Sequence, residues 1–510
     1  MPRYAAVDIG SNSVRMMVAE VSPGEPTQIL AEDRRVTRLG SSVFTDGSIS
    51  PVAIDVVCTE LARMAQVIQG FNASALRAVA TSAVRDATNQ AEFIKRSQSA
   101  LGAPVEVISG QEEARLIHLG VQALWPHPEG RILIVDVGGG STELILSEQG
   151  HFQQAYSKPL GAVRLTGAFL PGNPPDPAGL HRMLEYIDEK LAEPAAQFAG
   201  PLDRLIGTSA TAAAIVSAAH GIPRVRRNDA DRLAASTDQV REIYRQCSRS
   251  DLAARRSFSG IGPRRAEIIV AGSAVFLRVL EAFHFGAIHY SVAGVRDGII
   301  ADLAQRDADQ KLARLSMGQR AVVEAMAARY GSQLPHVRQV AWLARELFQG
   351  LQPLHCLPHH YGKMLEAAAF VHDIGHFVSN TGHHKHSYYL VASSDMPGFT
   401  APERNVIAWL CRYHRRALPG PQHEFFKTVT SEERDPVMML TPLLRLADSL
   451  DRSHEQRVRQ IDIKLQSGQV SITLRPTANQ DVELEIWAAK RNLELFRDAY
   501  QVSLSIEAKP

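Results

Sequence analysis

Residues 132–143 read ILIVDVGGGSTE, an apolar run closed by Asp136, three glycines and small polar residues. Residues 5–13 read AAVDIGSNS, the same order of residue types near the start of the chain, with Asp8 in the place of Asp136. Short β-branched runs that end in a Gly turn predict buried strands. An Asp at the C-terminal end of such a strand sets a carboxylate beside backbone N–H groups that small side chains leave uncovered. Amides in such a turn hold phosphate oxygens, and the carboxylate holds a divalent cation directly or through water. Either copy alone reads more readily as a plain hairpin turn. Two copies a domain's length apart predict two loops that grip a phosphate chain from both sides.

Outward from these stretches, runs such as LRAVAT, PVEVIS, DRLIGTS and AIHYSV alternate with helical segments up to about residue 305, the pattern of an α/β fold. Beyond it the pattern changes. Strands nearly vanish between about 310 and 455, where most of the 19 histidines fall, which predicts an all-helical module. The remainder predicts a small α+β unit in the order strand, strand, strand, helix, strand. The charged segment DLAQRDADQKLARL, 302–315, is the expected joint. The expected domains are therefore 1–125 and 126–304, the two α/β lobes, then 310–455 and 456–510.

A 45% hydrophobic and 21% charged composition supplies an ordinary globular core. With 55 Lys plus Arg against 54 Asp plus Glu, net charge gives no argument for a nucleic-acid or membrane partner, so any polyanion site must be local. The basic runs RVRR (224–227), Arg255–Arg256, Arg264–Arg265 and RYHRR (412–416) are the places to look for one. None has the interleaved aromatics of a single-strand nucleic-acid platform. Four scattered cysteines without CxxC spacing exclude a thiolate zinc site and predict a reducing compartment. No apolar run approaches the ~20 residues of a membrane span, and the N-terminus runs almost directly into a strand, so the expected location is cytoplasmic.

Taken in order, VDIGSNS, ATSAVRDATN, SGQEEARL, VDVGGGSTE, GTSATAAAI, GIGPRRAEIIVAG and GVRDGII resemble the exopolyphosphatase and guanosine pentaphosphate phosphatase (Ppx/GppA) family, long form. The resemblance implies a two-lobed actin-like (ribonuclease H-like) ATPase fold, followed by an HD-like helical domain and a small α+β domain. It also implies magnesium, inorganic polyphosphate as substrate with guanosine pentaphosphate as the alternative, and a homodimer.

In SGQEEARL the S-x-x-E spacing makes Ser109 an N-cap and Glu112 its capping-box partner. Glu113 is left without a capping task, and it matches the family's catalytic base. Asp136 and Glu143 converge on one cation if the glycines turn between antiparallel strands, and the resemblance gives this pair the same role. For substrate, the resemblance points to Asp8, Ser11, Asn12 and Ser13 in the first loop. Gly138, Gly139, Gly140, Ser141 and Thr142 belong to the second, and Arg85 matches a phosphate-facing position. Gly207, Thr208, Ser209 and Thr211 match the loop that holds the nucleotide in kinases of the superfamily; here it contacts phosphates or closes the cleft.

In the helical half, His336 in PHVRQVA, His372 and Asp373 in FVHDIGH, and Asp448 in RLADSLD are similar to the H, HD and D pattern of HD-domain metal phosphohydrolases. That resemblance implies a second divalent metal such as manganese, iron or zinc, with His384, His386 and His414 as candidates for a further metal position. Two other functions stay open on sequence: a phosphate-compound sensor whose activity lies in the helical half, and a kinase of the sugar or acetate type.

Overall fold

In the computed structural model of the chain, each of the two Asp–Gly stretches closes an antiparallel hairpin. The structure describes all residues except 23, 128, 199, 309–312, 417, 421, 424–426, 428, 430, 478–479 and 510. It divides into two units, Met1–Arg306 and Asp307–Pro510.

The first unit contains two sheets. One is built from β1 (Arg3–Ile9), β2 (Ser13–Glu20), β3 (Gln28–Val36), β4 (Ala75–Ala80) and β5 (Val105–Val107), in the order β3-β2-β1-β4-β5. The other uses β6 (Arg131–Val137), β7 (Thr142–Glu148), β8 (His151–Lys158), β9 (Arg204–Thr208), β10 (Ala234–Ser236) and β11 (Ala287–Tyr290), in the order β10-β11-β9-β6-β7-β8. In both, an antiparallel meander feeds a strand pair that is parallel, β1 with β4 and β6 with β9. The sequence repeat is thus a repeat of topology. Each Asp ends the strand that stands between the meander and the parallel half. That is where a doubly wound sheet opens a crevice at its carboxyl edge.

This is the two-lobed actin-like fold, and the helices around it interlock the lobes. The helix Gly110–Leu124 lays Ala114, Ile117 and Val121 on Ile132, Ile134 and Ile145 of the second sheet. The helix Val295–Ala308 returns to the first sheet, where Ile299 and Ile300 pack with Tyr4, Ala6, Met17 and Leu116. Of the expected joint, 302–308 belong to this helix, and 309–312 lie outside the described residues.

The second unit is a helical bundle with a three-stranded sheet, β12 (Val458–Gln466), β13 (Gln469–Pro476) and β14 (Ser503–Ala508). Both share one core, in which Leu443 and Leu450 of the bundle join Val458, Ile472, Leu474 and Ile506 of the strands. The third strand expected in this stretch is instead the helix Glu483–Lys490. The alternation Val482, Leu484, Ile486 has the period of a strand, yet the buried positions are Val482, Glu485, Ala488 and Ala489, the period of a helix, and Leu484 and Trp487 face solvent. All four cysteines are free. Among the described residues no helix is long and apolar enough to cross a membrane.

Candidate active site and metal centre

The two hairpin turns meet in the first unit. A Cβ on Gly139 would lie 3.0 Å from Ser11 Cβ, and one on Gly161 would lie 2.3 Å from the Gly139 carbonyl oxygen, so the glycines are what lets three backbones approach. The carbonyls of Gly138 and Gly139 accept from the amides of Ala162, Val163 and Arg164, at the start of the helix Ala162–Phe169, and Arg164 Nε donates to the Gly140 carbonyl at 2.8 Å. In a trans peptide the N–H points opposite to the carbonyl. The amides of Gly139, Gly140 and Ser141 are therefore turned toward the cleft that these residues line together with Asp8, Ser11, Asn12 and Ser13.

Asp136 and Glu143 are cross-strand partners, so their side chains rise from the same face of the β6–β7 hairpin. Thr208 Oγ1 donates to Asp136 Oδ2 at 2.5 Å, and Ser157 Oγ donates to Glu143 Oε1 at 2.8 Å. Burial, reinforced by Asp136, pushes Glu143 up to about 7. Burial likewise raises Asp136 and Asp8. Glu113, in the first turn of the Gly110–Leu124 helix, lines the same cleft. Its carboxyl is held well above the usual range by burial and then by Glu143, against the opposing charge of Arg85. Arg85 Nη1 donates to the Ile108 carbonyl at 2.7 Å and stands 3.5 Å from Glu113 Oε2. Four buried carboxyls that resist ionisation together form a site that a cation would relieve. They do not form a tight protein cage: among the described residues, the groups of three ligand atoms within 4.8 Å of one another all lie in the second unit. A cation held there would keep positions for water and phosphate oxygens.

Facing the acids is a basic wall. Arg15, Arg34, Arg227, Arg265 and Arg296 line the cleft, and Arg224 and Arg264 line the pocket that adjoins it. Burial, then the charge of Arg15 and its neighbours, pulls Arg34 down to about 8 and Arg265 down to about 10. A bound anion would relieve this crowding of like charge, which Glu32, Asp33 and Asp297 of the same lining offset in part. Two of the expected basic runs supply part of this wall. Arg255 does not; it is buried with Nη2 on Asn173 at 3.1 Å, and Arg256 stands 3.7 Å from Glu267. Arg15, Arg34 and Arg296 were not legible as a group, because they are isolated along the chain and only the fold gathers them.

The remaining expected residues divide. Ser209 lines the cleft, in a left-handed conformation with φ of 77°. Gly207, Thr208, Thr211 and Thr142 lie behind it: Thr208 holds Asp136, Thr211 receives Arg265 Nη1 at 3.2 Å, Thr142 caps the Leu160 carbonyl, and a Cβ on Gly207 would meet Ile288 at 2.4 Å. They support the cleft rather than line it. Glu112 also differs from expectation. The Ser109 half of the capping box is present, with Ser109 Oγ accepting from Glu112 N at 3.2 Å. The Glu112 carboxylate is engaged by Arg115 at 2.8 Å and Arg77 at 3.0 Å, and both arginines also bind Asp302. This buried network ties the first turn of the helix to β4 and to the Val295–Ala308 helix.

In the second unit His336, His372, Asp373 and Asp448 come together. His372 Nε2 is 3.6 Å from Asp373 Oδ2 and 3.5 Å from Asp448 Oδ1, and His336 Nε2 is 3.7 Å from Asp448 Oδ1. His336 Nδ1 is held by Asp451 Oδ2 at 2.8 Å and His372 Nδ1 by the Ala369 carbonyl at 2.9 Å. Both Nε2 atoms are buried without a hydrogen-bond partner. Orphaned imidazole nitrogens beside carboxylates are what a metal would satisfy. Of the other expected histidines, His414 belongs to this cluster. His384 stands only at its edge, its ring 6.4 Å from that of His414, whereas His383 at 3.4 Å and His376 at 3.8 Å stand beside Asp373. Of HHKH the sequence pointed to His384 and His386, whereas the phase of the helix His383–Ser393 brings His383 to Asp373.

The fold and the acid-and-arginine cleft define a phosphate-handling enzyme of the two-lobed actin-like class. Within that class the chain belongs to the Ppx/GppA phosphatase family: the family model matches residues 17–307, and the model of the family's domain III matches 319–494. The guanosine-5'-triphosphate,3'-diphosphate pyrophosphatase of Vibrio vulnificus is 27% identical over 450 residues, which covers 88% of this chain and 86% of that protein. The Aquifex aeolicus family member is 28% identical, with a TM-score of 0.53 over 60% of this chain and 98% of its own. An exopolyphosphatase from Cytophaga hutchinsonii, 24% identical, shares the fold with a TM-score of 0.56 over 59% of this chain and 98% of its own.

Proposed function

We propose that this phosphatase is a magnesium-dependent exopolyphosphatase, which releases orthophosphate from the end of a polyphosphate chain. The observation that carries the proposal is Glu113, buried in the cleft that Asp8, Asp136 and the arginines line, with Glu143 close enough to raise its carboxyl. Asp136 and Glu143 would hold magnesium, which supplies charge neutralisation at the reacting phosphate. The amides of Gly139, Gly140 and Ser141 and the loop Ser11–Ser13 hold phosphate oxygens. Glu113 orients a water and takes its proton. The water oxygen bonds to the terminal phosphorus, the bridging P–O bond breaks, and the shortened chain leaves with the electron pair. Positioning and charge stabilisation do most of this work, so Glu113 needs proximity more than basicity.

Guanosine pentaphosphate is the second reading, supported by the name that the Vibrio relatives carry. Its 5'-triphosphate end would present the same terminal phosphoanhydride to the same groups. For the helical unit we propose a divalent transition metal on His336, His372, Asp373 and Asp448, in line with the orphaned Nε2 atoms. The protein would act in the cytoplasm, as a homodimer. Orthophosphate release from long-chain polyphosphate and from guanosine pentaphosphate, side by side with and without magnesium, tests the assignment. Release from neither substrate overturns it, and release from guanosine pentaphosphate alone selects the second reading.

A further inference from the structure

One guanidinium of the first unit joins elements of both its sheets. Arg164 stands in the helix Ala162–Phe169, which follows β8 of the second sheet, and its Nε donates to the Gly140 carbonyl at 2.8 Å. The far end of the side chain crosses to elements of the first sheet. Nη2 donates to Asp86 and lies 3.5 Å from Ser82 Oγ, both in the short helix Ser82–Asp86 that follows β4. The guanidinium carbon lies 4.0 Å from the centre of the Phe44 ring, in the helix Gly40–Asp46 that follows β3. A planar fork of donors with a flat face engages a carbonyl, a carboxylate and an aromatic ring at once, which the single ammonium of a lysine does not.

The carbonyls of Gly138 and Gly139 are held by backbone amides, whereas that of Gly140 is held by this side chain. A glycine peptide turns easily. Once the Gly140 carbonyl is fixed, the Ser141 N–H of the same peptide is fixed the opposite way, toward the cleft. A Cβ on Gly140 would lie 2.4 Å from Ser82 Oγ and 2.5 Å from Phe44 Cζ, so the turn is pressed against the same two elements that Arg164 grips. Arg85, the neighbour of Asp86, stands 3.5 Å from Glu113 Oε2. One side chain therefore sets an amide that faces phosphate at one end and the helix carrying the arginine beside Glu113 at the other. Stability is not what this arrangement supplies. The side chains of Arg164 and Asp86 are 26% and 41% exposed, and ion pairs so open to solvent contribute little.

We infer that Arg164 is a positioning residue for phosphate release: it orients the Gly140–Ser141 peptide toward the terminal phosphate and holds that turn in register with Arg85 across the cleft. The inference rests on the proposed role of the cleft and deepens it. Donors aimed before reaction stabilise the charge that develops on a transferring phosphoryl group. A donor displaced by about 1 Å costs up to about 10²-fold in rate. A second pair also joins elements of the two sheets, with Arg38 Nη2 at 2.9 Å from Glu267 Oε2. Among the described residues, neither of these side chains bonds to the glycine turn, so the pair separates a general tie between the sheets from an oriented peptide.

The test uses the full-length protein with two readouts. In orthophosphate release, Arg164→Ala should lower turnover by about 10–100-fold. Arg164→Lys keeps a charge for Asp86 but not the fork, and should stay near the alanine variant. Asp86→Asn should lose less than either, and Glu267→Gln should keep turnover. Hydrogen exchange followed by mass spectrometry reads the same device without substrate. The amides of Ala162 and Val163, which hold the glycine turn, and those of Val84 and Arg85, bonded to the Thr81 carbonyl, should exchange faster in Arg164→Ala and at the unmutated rate in Glu267→Gln. Circular dichroism of each variant reports its folding. Unchanged exchange at either segment in Arg164→Ala overturns the inference, and so does full turnover in Arg164→Lys, which would make the residue a mere charge partner of Asp86. Release of orthophosphate from neither substrate by the unmutated protein overturns the reading of the cleft instead; the exchange rates then decide alone whether Arg164 sets the turn.

Discussion

Glu112 and Glu113 are adjacent residues of one helical turn, and their surroundings give them opposite tasks. Burial opposes ionisation at Glu112, but Arg115, with Arg77, outweighs it and holds the carboxyl below its usual range. Glu113, faced by Glu143, goes the other way. Glu113→Gln should therefore keep the fold and substrate affinity and lower turnover by about 10²–10⁴-fold, the usual effect of a lost general base. Glu112→Ala leaves Arg77 and Arg115 buried with a missing partner and should cost about 3–5 kcal/mol of stability, read by denaturant unfolding. Equal loss of turnover with unchanged stability in both would remove the division of labour. Asp136→Asn and Glu143→Gln should raise the magnesium concentration for half-maximal rate; an unchanged magnesium titration in both would take them out of the site. The acids were legible in the sequence because each stands beside a turn or a cap. The network around Glu112 was not, since Arg77 and Asp302 reach it only through the fold.

At the level of elements, the helix that carries Glu113 is fastened to the second sheet partly through His118, whose Nε2 lies 3.0 Å from Ser147 Oγ on β7. Burial, with smaller contributions from His151 and Arg115, pulls His118 down to about 4. The unfolded chain, with the ordinary value near 6.5, takes up the proton first. Between the two values the unfolded state binds more protons, so stability rises with pH across this window and is lost as pH falls from about 6.5 to 4. The loss should reach about 3 kcal/mol at the acid end, and His118→Asn should flatten the slope by about one proton's worth; parallel unfolding curves for both proteins across this range would refute it. The hairpins at Asp8 and Asp136 were readable because the turn chemistry and the strand period agree there. Residues 482–488 were misread because an alternating apolar pattern overlaps a helical one, and the shared core selects the helix through Val482 and Ala489. Propensity and period are local signals, whereas that choice is made by a partner elsewhere in the chain.

On the scale of the whole molecule, the chain divides after Arg306 into two units, and in the second the residues on either side of 455 share one core. A fragment from 307 to 510 should therefore unfold in one cooperative transition. One from 315 to 455 strips Val458, Ile472, Leu474 and Ile506 from that core and should show expanded, dye-binding behaviour. A sharp transition in the shorter fragment would show that the bundle is self-sufficient. The first unit carries the other prediction at this scale, because near-balanced net charge coexists with seven arginines along the cleft and its adjoining pocket. If those arginines neutralise successive phosphates, each releases counterions on binding, and affinity falls as a power of salt concentration that grows with the number of phosphates engaged. Tripolyphosphate would then cover only the cleft beside Glu113, whereas a chain of hundreds would also occupy Arg224 and Arg264. The dependence of the logarithm of KM on the logarithm of salt concentration should be steeper for the long chain, and Arg224→Ala with Arg264→Ala should bring its slope toward that of tripolyphosphate. Identical slopes for the two substrates in the unmutated protein would mean that only the terminal phosphates are held, and the adjoining arginines would then serve some other anion.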